Sequence, residues 1–453
     1  MTMIVFPEAF LAAMQTRLGA EFPAFLAAMR AGGAESRALR VNPLRAGTLE
    51  AAAPYLESPV PWAAHGYYYR PETRPGASLA HFAGAFYLQE ASAMSAAAVL
   101  DAQPGERVLD LCAAPGGKST QIASALGGRG LLVSNEPEPS RAKILAGSLE
   151  RFGVVNAVVT NAYPDRLSPQ LAEYFDAILV DAPCSGEGMF ARSEAARAEW
   201  TPASPEGCAR RQAEILDEAA KMLRPGGRLV YSTCTFNDLE NEGSVRGFLA
   251  RHPDYTPEDF RLPDIGASEA GMLRVYPHRV RGDGHFVAKL RRLGEGRPTP
   301  APVFRNRRED QALVRQLCAE AVLSLPEGVA EARLLLQGDR LWALPAEAPD
   351  LRGVKVVQPG LCLLRTGRSH IEPEHALAMA LPVAGACRVA ALDAAQARDW
   401  CEGQALVLDA AKGWTLVTHE GQPLGWGKVS DGQLKNHLPK GLRRKFYAEE
   451  ENE

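Results

Sequence analysis

The chain has 453 residues, a formal net charge of −4, 46% hydrophobic and 23% charged residues. At about 100–200 residues per domain this is a multidomain length, and the composition excludes a disordered or collagen-like chain. Near-neutrality excludes a protein that is basic overall but not one with a single basic face. Met1 to Glu8 lacks the basic start and apolar stretch of a signal peptide, and no run of about 18 apolar residues is present to span a membrane. The cysteines at 112, 184, 208, 234, 318, 362, 387 and 401 show no Cys-x-x-Cys spacing. They read as reduced cytoplasmic thiols rather than as disulfides or metal ligands.

In chain order, Phe10, Leu11, Met14 and Leu18 fit one face of a helix. Ala38 to Asn42 reads as a short strand, and residues 1–78 form a small α/β appendage. From 79 to 293, short apolar runs (Arg107–Leu111, Leu131–Asn135, Ala157–Asn161, Ala177–Asp181, Arg228–Thr233) alternate with helical stretches (Ser119–Ala125, Glu138–Phe152, Gly207–Leu223). That alternation predicts an α/β, doubly wound Rossmann-like parallel sheet. Arg224-Pro225-Gly226-Gly227 reads as a breaker between a helix and the strand that follows. Leu273–Tyr276 and His285–Leu290 read as an antiparallel edge hairpin. Gly294–Pro302 has linker composition. Beyond it come an α+β unit at 303–390, with a helix over Asp310–Leu323, and a last unit at 391–453, with strands near Ala405–Leu408 and Trp414–Thr418.

The first strand runs into Cys112-Ala113-Ala114-Pro115-Gly116-Gly117-Lys118-Ser119. Ligands of open α/β sheets sit at such strand ends. A P-loop NTPase reading finds Cys112 where the motif needs glycine, and Pro115 lacks an N–H for a phosphate cradle. A dinucleotide site lacks Gly-x-Gly-x-x-Gly at this turn. The third ligand, S-adenosylmethionine, needs close backbone but no phosphate nest. An acid at the next strand end, Glu136, suits both ribose hydroxyls of such a ligand, and Asn161 and Asp181 end the following strands at the same rim. Glu136 alone also suits a helix N-terminus.

Two further strand ends carry cysteines, in Asp181-Ala182-Pro183-Cys184-Ser185-Gly186 and Ser232-Thr233-Cys234-Thr235-Phe236. A lone buried cysteine is usually a small hydrophobe, but two at neighbouring strand tips facing one crevice suggest chemistry. Carbon 5 of cytosine is a poor nucleophile. A thiolate added at carbon 6 makes carbon 5 enamine-like, and a base must then remove the carbon 5 proton so that the sulfur can leave. Asp181 suits protonation of the base at its N3 edge during attack.

Tyr87-Leu88-Gln89-Glu90-Ala91-Ser92, Cys112–Lys118, Asp181–Gly186 and Ser232–Phe236 together resemble the motifs of Sun-type RNA cytosine-5 methyltransferases, over roughly residues 20–292. The resemblance implies Cys234 as nucleophile and Cys184 as the thiol assisting release. It also implies S-adenosylmethionine bound by Cys112 to Lys118, Glu136, Asn161 and Asp181, with Arg141 in reach. Cys184 as nucleophile, as in the DNA enzymes, is the mechanistic alternative. Glu187-Gly188-Met189-Phe190, Arg211-Gln212, Tyr276-Pro277-His278, Gly425-Trp426-Gly427-Lys428 and Pro439 to Arg443 resemble the bacterial RsmF-like branch. That branch implies small-subunit (16S) ribosomal RNA as partner, with transfer RNA the alternative, and a PUA-like RNA-binding module at the end of the chain. There Trp426, Lys428, Lys435, Lys440, Arg443 and Arg444 are the candidate RNA contacts, interleaved with His437 and Phe446. The competing reading is a solvated strip with Trp426 in the core. Glu449–Glu451 and Glu453 read as an acidic tail. Arg305, Arg307 and Arg308, and Arg279 with Arg281, are weaker basic clusters. A P-loop NTPase and a non-catalytic RNA chaperone are the readings from other classes.

Overall fold

The computed structural model describes residues 4–32, 36–297, 299–300, 302–329, 332–368, 370–386 and 388–446. Cys387 and the acidic tail Glu449–Glu451 and Glu453 lie outside the described residues.

The N-terminal helices Glu8–Leu18 and Phe22–Arg30 bury Phe10, Met14, Phe25 and Met29. That face packs on Phe190, Phe236 and Tyr276, beneath the loops that follow the cysteine-bearing strands. A four-stranded antiparallel sheet follows, in the order Leu56–Pro59, Gly66–Tyr69, Ala38–Val41, Phe86–Leu88.

The central sheet is built from β1 (Arg107–Asp110), β2 (Leu131–Asn135), β3 (Ala157–Thr160), β4 (Phe175–Asp181), β5 (Leu223–Thr233) and β6 (His285–Arg292). β1 pairs in parallel with both β2 and β4, β2 with β3, and β4 with β5. β6 runs antiparallel against β5. The near-continuous apolar strands fit a sheet covered on both faces: Val108, Leu132, Val159 and Leu179 enter one core, Leu109, Val133, Val158 and Val180 the other. Helices α1 (Gly117–Leu126), α2 (Pro139–Phe152) and α3 (Ser204–Met222) join the strands. Because β1 is followed by β2 on one side and β4 lies on the other, the strand order reverses at β1. A crevice opens there above the carboxyl ends.

Two expectations change. The Pro225-Gly226-Gly227 cluster does not precede β5 but lies inside it. Phe175 pairs with Leu223 and Ala177 with Arg228, so the extra residues form a bulge, with Gly226 at φ +75°. β6 is also not an edge strand. It sits between β5 and the short strands Tyr255–Pro257 and Met272–Val275.

The segment 303–390 is not structurally closed, since Val356–Gln358 adds an antiparallel strand to β3 and extends the central sheet. The rest of that segment forms a helix, Arg308–Ala321, and a four-stranded sheet. Its helix His375–Ala380 packs on α2, where His375 Nδ1 lies 2.7 Å from Glu150. Strands from Val389–Leu392 to Gln433–Asn436 form a final five-stranded sheet around Trp400 and Trp426. It docks on the N-terminal segment: Gln422 donates to the Ala46 carbonyl (2.9 Å), Arg444 to the Ser78 carbonyl (3.2 Å), and Phe446 meets Phe82 edge-on. No helix among the described residues is long and apolar enough to cross a membrane.

Gly153 ends α2 at φ +75°, and a Cβ there would lie 2.5 Å from the Met379 carbonyl oxygen. Gly153→Ala should therefore cost more than the roughly 1 kcal/mol of left-handed strain and loosen the α2 contact. A lowered Tm, together with faster proteolysis in the 317–381 region, is the expected result.

Candidate active site

The glycine loop leaves β1 at Asp110. Gly116 adopts φ +113°, and a Cβ on it would press within 2.9 Å of Ser148 on α2, so only glycine fits here. α1 then begins at once. Its first turn is braced from the N-terminal sheet by Arg40, which is 1% exposed and donates to the Gly117 carbonyl (2.9 Å) and Thr120 Oγ1 (2.6 Å). Burial pushes this guanidinium down to about 9, and its Nε and Nη1 reach Gln89 and Ser124, not a carboxylate. Asp110 lies beneath the loop with Ser119 Oγ on one oxygen (2.7 Å) and nothing on the other. Burial, opposed by Ser119 and reinforced by the Asp181 charge, pushes Asp110 up to about 7.

Asp181 closes β4. Lys118 Nζ donates to one carboxylate oxygen (2.7 Å) and Ser232 Oγ to the other (2.8 Å). His285 Nε2 stands 3.7 Å from that second oxygen. Burial works to raise the Asp181 pKa, but the Lys118 ammonium, by charge and hydrogen bond, and the Ser232 hydrogen bond hold it below the ordinary value. Asp181 is therefore a carboxylate in the resting protein. Its proton-bearing neighbour in the resting protein is Lys118. His285 is fully buried, and desolvation, helped by the Lys118 charge, pushes it down to about 3, so its imidazole is neutral.

The parallel register pairs Asp181 with Ser232, and the last ladder bond runs from Ala182 N to the Ser232 carbonyl. Both chains then leave the sheet and present Cys184 and Cys234 side by side, Sγ to Sγ 3.2 Å. The Cys234 contact and burial push the Cys184 thiol well up, so it keeps its proton. Burial also raises Cys112.

One cavity of about 1090 Å³ joins these groups. Leu111, Cys112, Ala114, Glu136, Arg141 and Tyr163 line one end; Asp181, Cys184, Met189, Arg211 and Cys234 line the other. Glu136, 2% exposed, accepts from Glu138 N (3.0 Å) and meets Arg141 at 3.4 Å, while Arg141 also donates to the Ala114 carbonyl. Asn161 does not line the cavity. Its amide donates to the Glu136 and Pro137 carbonyls (2.9 and 2.8 Å), so it supports the loop that carries the acid. Of the other loop residues expected at the cofactor, Ala113, Pro115, Gly116, Gly117 and Lys118 do not line the cavity. Among the described residues, no group of three or more potential ligands is arranged to hold a metal.

The structure redraws the basic candidates of the last unit. Trp426 is 2% exposed and spends its indole N–H on the Glu374 carbonyl (3.0 Å), so it cannot stack on a base. Arg444 is spent on Ser78 and on the Phe82 and Phe446 rings, and Arg443 on the Leu438 carbonyl. Lys428 and Lys435 remain, directly opposite each other on adjacent strands, with Lys428 over the Trp414 ring and Lys440 exposed nearby. Arg279 pairs with Glu21 and Arg281 with Glu57, which ties the hairpin loop to the N-terminal segment. Arg305, Arg307 and Arg308 are exposed.

Sequence reasoning overlooked Arg40, Asp110 and His285 as site residues, as well as the acids Glu187 and Glu240 and the amide Asn237 behind the cysteines. Most of their hydrogen bonds join elements far apart in sequence, as Arg40 to Thr120 and Glu240 to Ser185, and no local periodicity marks them.

Four family models tile the chain. They describe the N-terminal domain of 16S rRNA methyltransferase RsmF (residues 6–91), 16S rRNA methyltransferase RsmB/F (97–291), the first C-terminal domain of RsmF rRNA methyltransferase (317–381) and the methyltransferase RsmF PUA domain (387–444). Ribosomal RNA small subunit methyltransferase F of Erwinia tasmaniensis is 34% identical, and that of Klebsiella pneumoniae 36%, each match covering 97% of both chains. This chain belongs to the RsmB/F family of 16S rRNA methyltransferases. Among solved structures, a methyltransferase homologue from Pyrococcus horikoshii is 27% identical with a TM-score of 0.52, covering 63% of this chain and 100% of that one. PH0851 is 29% identical with a TM-score of 0.57, covering 63% of this chain and 66% of that one. Both share the methyltransferase fold found here, and the RsmB/F model spans the glycine loop and both cysteines.

Asp110 sets a pH signature. Its folded pKa lies above the unfolded value of about 3.9, so its contribution is fully present below that value and is lost as pH rises through about 7. The loss approaches about 1.4 kcal/mol per pH unit across that window. Asp110→Asn should flatten the fall in Tm between pH 5 and 8 relative to the parent; an unchanged slope would refute the assignment.

Proposed function

We propose that this protein transfers a methyl group from S-adenosylmethionine to carbon 5 of cytosine in 16S ribosomal RNA, through an adduct between Cys234 and carbon 6. The observation that carries the reading is the pair of thiols 3.2 Å apart in one cavity with Glu136 and the glycine loop. A lone nucleophile needs no second thiol at contact distance. A reaction that must form and then break a carbon–sulfur bond has work for both.

The residues present fit the cofactor. Cys112 and Ala114 of the glycine loop line the cavity beside the buried Glu136 carboxylate, which suits paired ribose hydroxyls, and Asn161 holds the Glu136 loop. Bound there, with Cys112, Ala114 and Arg141 at the same end, S-adenosylmethionine supplies the methyl group. The chain's own groups do the rest. The attack is helped by charge placed on the ring. Asp181 lines the cavity where the polar edge of the base would lie, and the Lys118 ammonium hydrogen-bonded to it supplies a proton that passes through Asp181 to N3 as the sulfur adds and returns by the same path on release. The Cys234 sulfur adds to carbon 6, and carbon 5 gains enamine character and takes the methyl. Cys184, kept protonated beside Cys234, then assists release.

Cytosine must leave any helix to enter the cavity. The Lys428–Lys435 pair supports the RNA-binding role, because like charges set directly opposite each other are unfavourable without an anion between them. Lys440 extends this patch.

Cys234→Ala should abolish methylation, and Cys184→Ala should leave a protein–RNA adduct that survives a denaturing gel. Bisulfite mapping of ribosomal and transfer RNA from cells with and without the gene identifies the substrate; a methylated site lost only from transfer RNA would refute the ribosomal assignment. Calorimetry should show binding of S-adenosylmethionine and none of ATP.

Replacing both Lys428 and Lys435 by alanine should weaken RNA binding and reduce the salt slope of log K by about 0.7 per lost phosphate contact. Trp426→Ala should instead lower stability by about 3–5 kcal/mol, with RNA affinity following only the loss of fold.

A further inference from the structure

Beyond Ala182 N and the Ser232 carbonyl the β4–β5 ladder has ended, so the sheet no longer fixes how the two thiols face each other. A buried side-chain network takes over, and Glu240 is its hub. Glu240 is 0% exposed. One carboxylate oxygen accepts from Ser185 N (2.9 Å) and Gln212 Nε2 (2.9 Å); the other accepts from Asn237 Nδ2 (2.7 Å) and Ser185 Oγ. Ser185 follows Cys184, and Asn237 follows Cys234 by three residues. The same Gln212 amide donates to the Pro183 carbonyl (3.1 Å), which bonds the residue before Cys184 to α3. Around this hub, Gly188 N donates to the Cys234 carbonyl (2.8 Å) and Phe236 N to Glu187 (2.7 Å).

The hub is asymmetric. The Cys234 loop has an anchor of its own outside the hub, Asn241 to the Thr235 carbonyl (3.0 Å), and meets Glu240 only through Asn237, whereas the Gly188 and Glu187 bonds join the two loops and serve both. The Cys184 loop depends on Glu240 for the bonds to Ser185 N and Oγ, with Ser185 Oγ also meeting Thr235 Oγ1 (2.9 Å). We propose that Glu240 is a positioning residue for the release step, holding Cys184 against Cys234 while leaving the attacking thiol independently seated. This rests on the roles given above to the two cysteines. In release, the proton on carbon 5 passes to the Cys184 sulfur as that thiol gives its own proton to the departing Cys234 sulfur. The carbon 5–hydrogen pair restores the ring double bond, and the sulfur–carbon 6 bond breaks. Such a relay requires the two sulfurs to stay in contact.

Glu240 faces four donors, so Glu240→Gln keeps the shape but turns an amide N–H₂ toward N–H and O–H groups. Full-length protein, labelled S-adenosylmethionine and the RNA substrate are followed for turnover and for adduct on denaturing gels, beside Cys184→Ala. Glu240→Gln should lose at least about tenfold in turnover and accumulate methylated adduct as Cys184→Ala does, with unchanged cofactor affinity. The double variant should add nothing to Cys184→Ala alone. Ser185→Ala, which removes one of the four bonds, should show the same adduct at a lower level and keeps the test alive if Glu240→Gln misfolds. If Cys184→Ala traps adduct while Glu240→Gln and Ser185→Ala do not, Glu240 is merely structural and the proposal fails. If Cys184→Ala traps none, the cysteine assignments beneath it fail first.

Discussion

The structure depends on one constraint, the register of β4 against β5. Parallel pairing of Asp181 with Ser232 puts residues three and two positions further on at the same height above the sheet. A slip of one residue would turn every side chain of either strand to the opposite face, and the two sulfurs would no longer meet. That register is held by burial. Ile178, Leu179, Val180, Leu229, Val230 and Tyr231 are all fully buried, each contributing roughly 1.5–3 kcal/mol as it leaves water. The chemistry is thus positioned by hydrophobic strands that take no part in it.

On top of that frame sits a compact set of charges. Asp110, Lys118, Asp181 and His285 share a largely dry space in which each isolated charge would be expensive. The set resolves this by dividing roles. Lys118 and Asp181 stay ionised as a pair, His285 is neutral, and Asp110 is held near the point of neutralisation. This arrangement keeps one proton on Lys118, within a hydrogen bond of a carboxylate that faces the cavity.

The fold was legible where its signals are local. β2 ends where its apolar run ends, and α2 begins within one residue of Glu138, because apolar periodicity and strand-end acids are written in consecutive residues. Cys184 and Cys234 were legible as a pair because strand order alone makes their tips neighbours. Long-range bonds were not. Arg40 looks like an ordinary strand residue, yet it braces a loop 77 residues away. Trp426 misled for the converse reason: an aromatic between basic residues has the composition of an RNA-binding strip, but its ring packs in the core with Trp414 and Leu416 and its N–H is taken by the Glu374 carbonyl, contacts no local pattern announces. The Pro225–Gly227 cluster misled because a breaker and a bulge have the same residues. Only the partner strand, which has the single residue Asp176 where β5 has Arg224 to Gly227, decides between them.

The appended segments follow the same logic as the central register. The N-terminal helices support Phe236 and Phe190, which sit just past the cysteine loops, and Arg40 supports the glycine loop. The final sheet docks on that N-terminal segment through Gln422, Arg444 and Phe446. The basic pair Lys428–Lys435 therefore stands on a continuous path of packed elements leading back to the cavity, rather than on a free tether. A tether would present RNA to the site at an effective concentration set by its length. A docked module instead presents it in a set direction, and the ordering entropy that a flexible arm would lose on binding has already been spent in folding. On the role proposed for Lys428 and Lys435, a base held there need only be flipped into the cavity, not first brought to it.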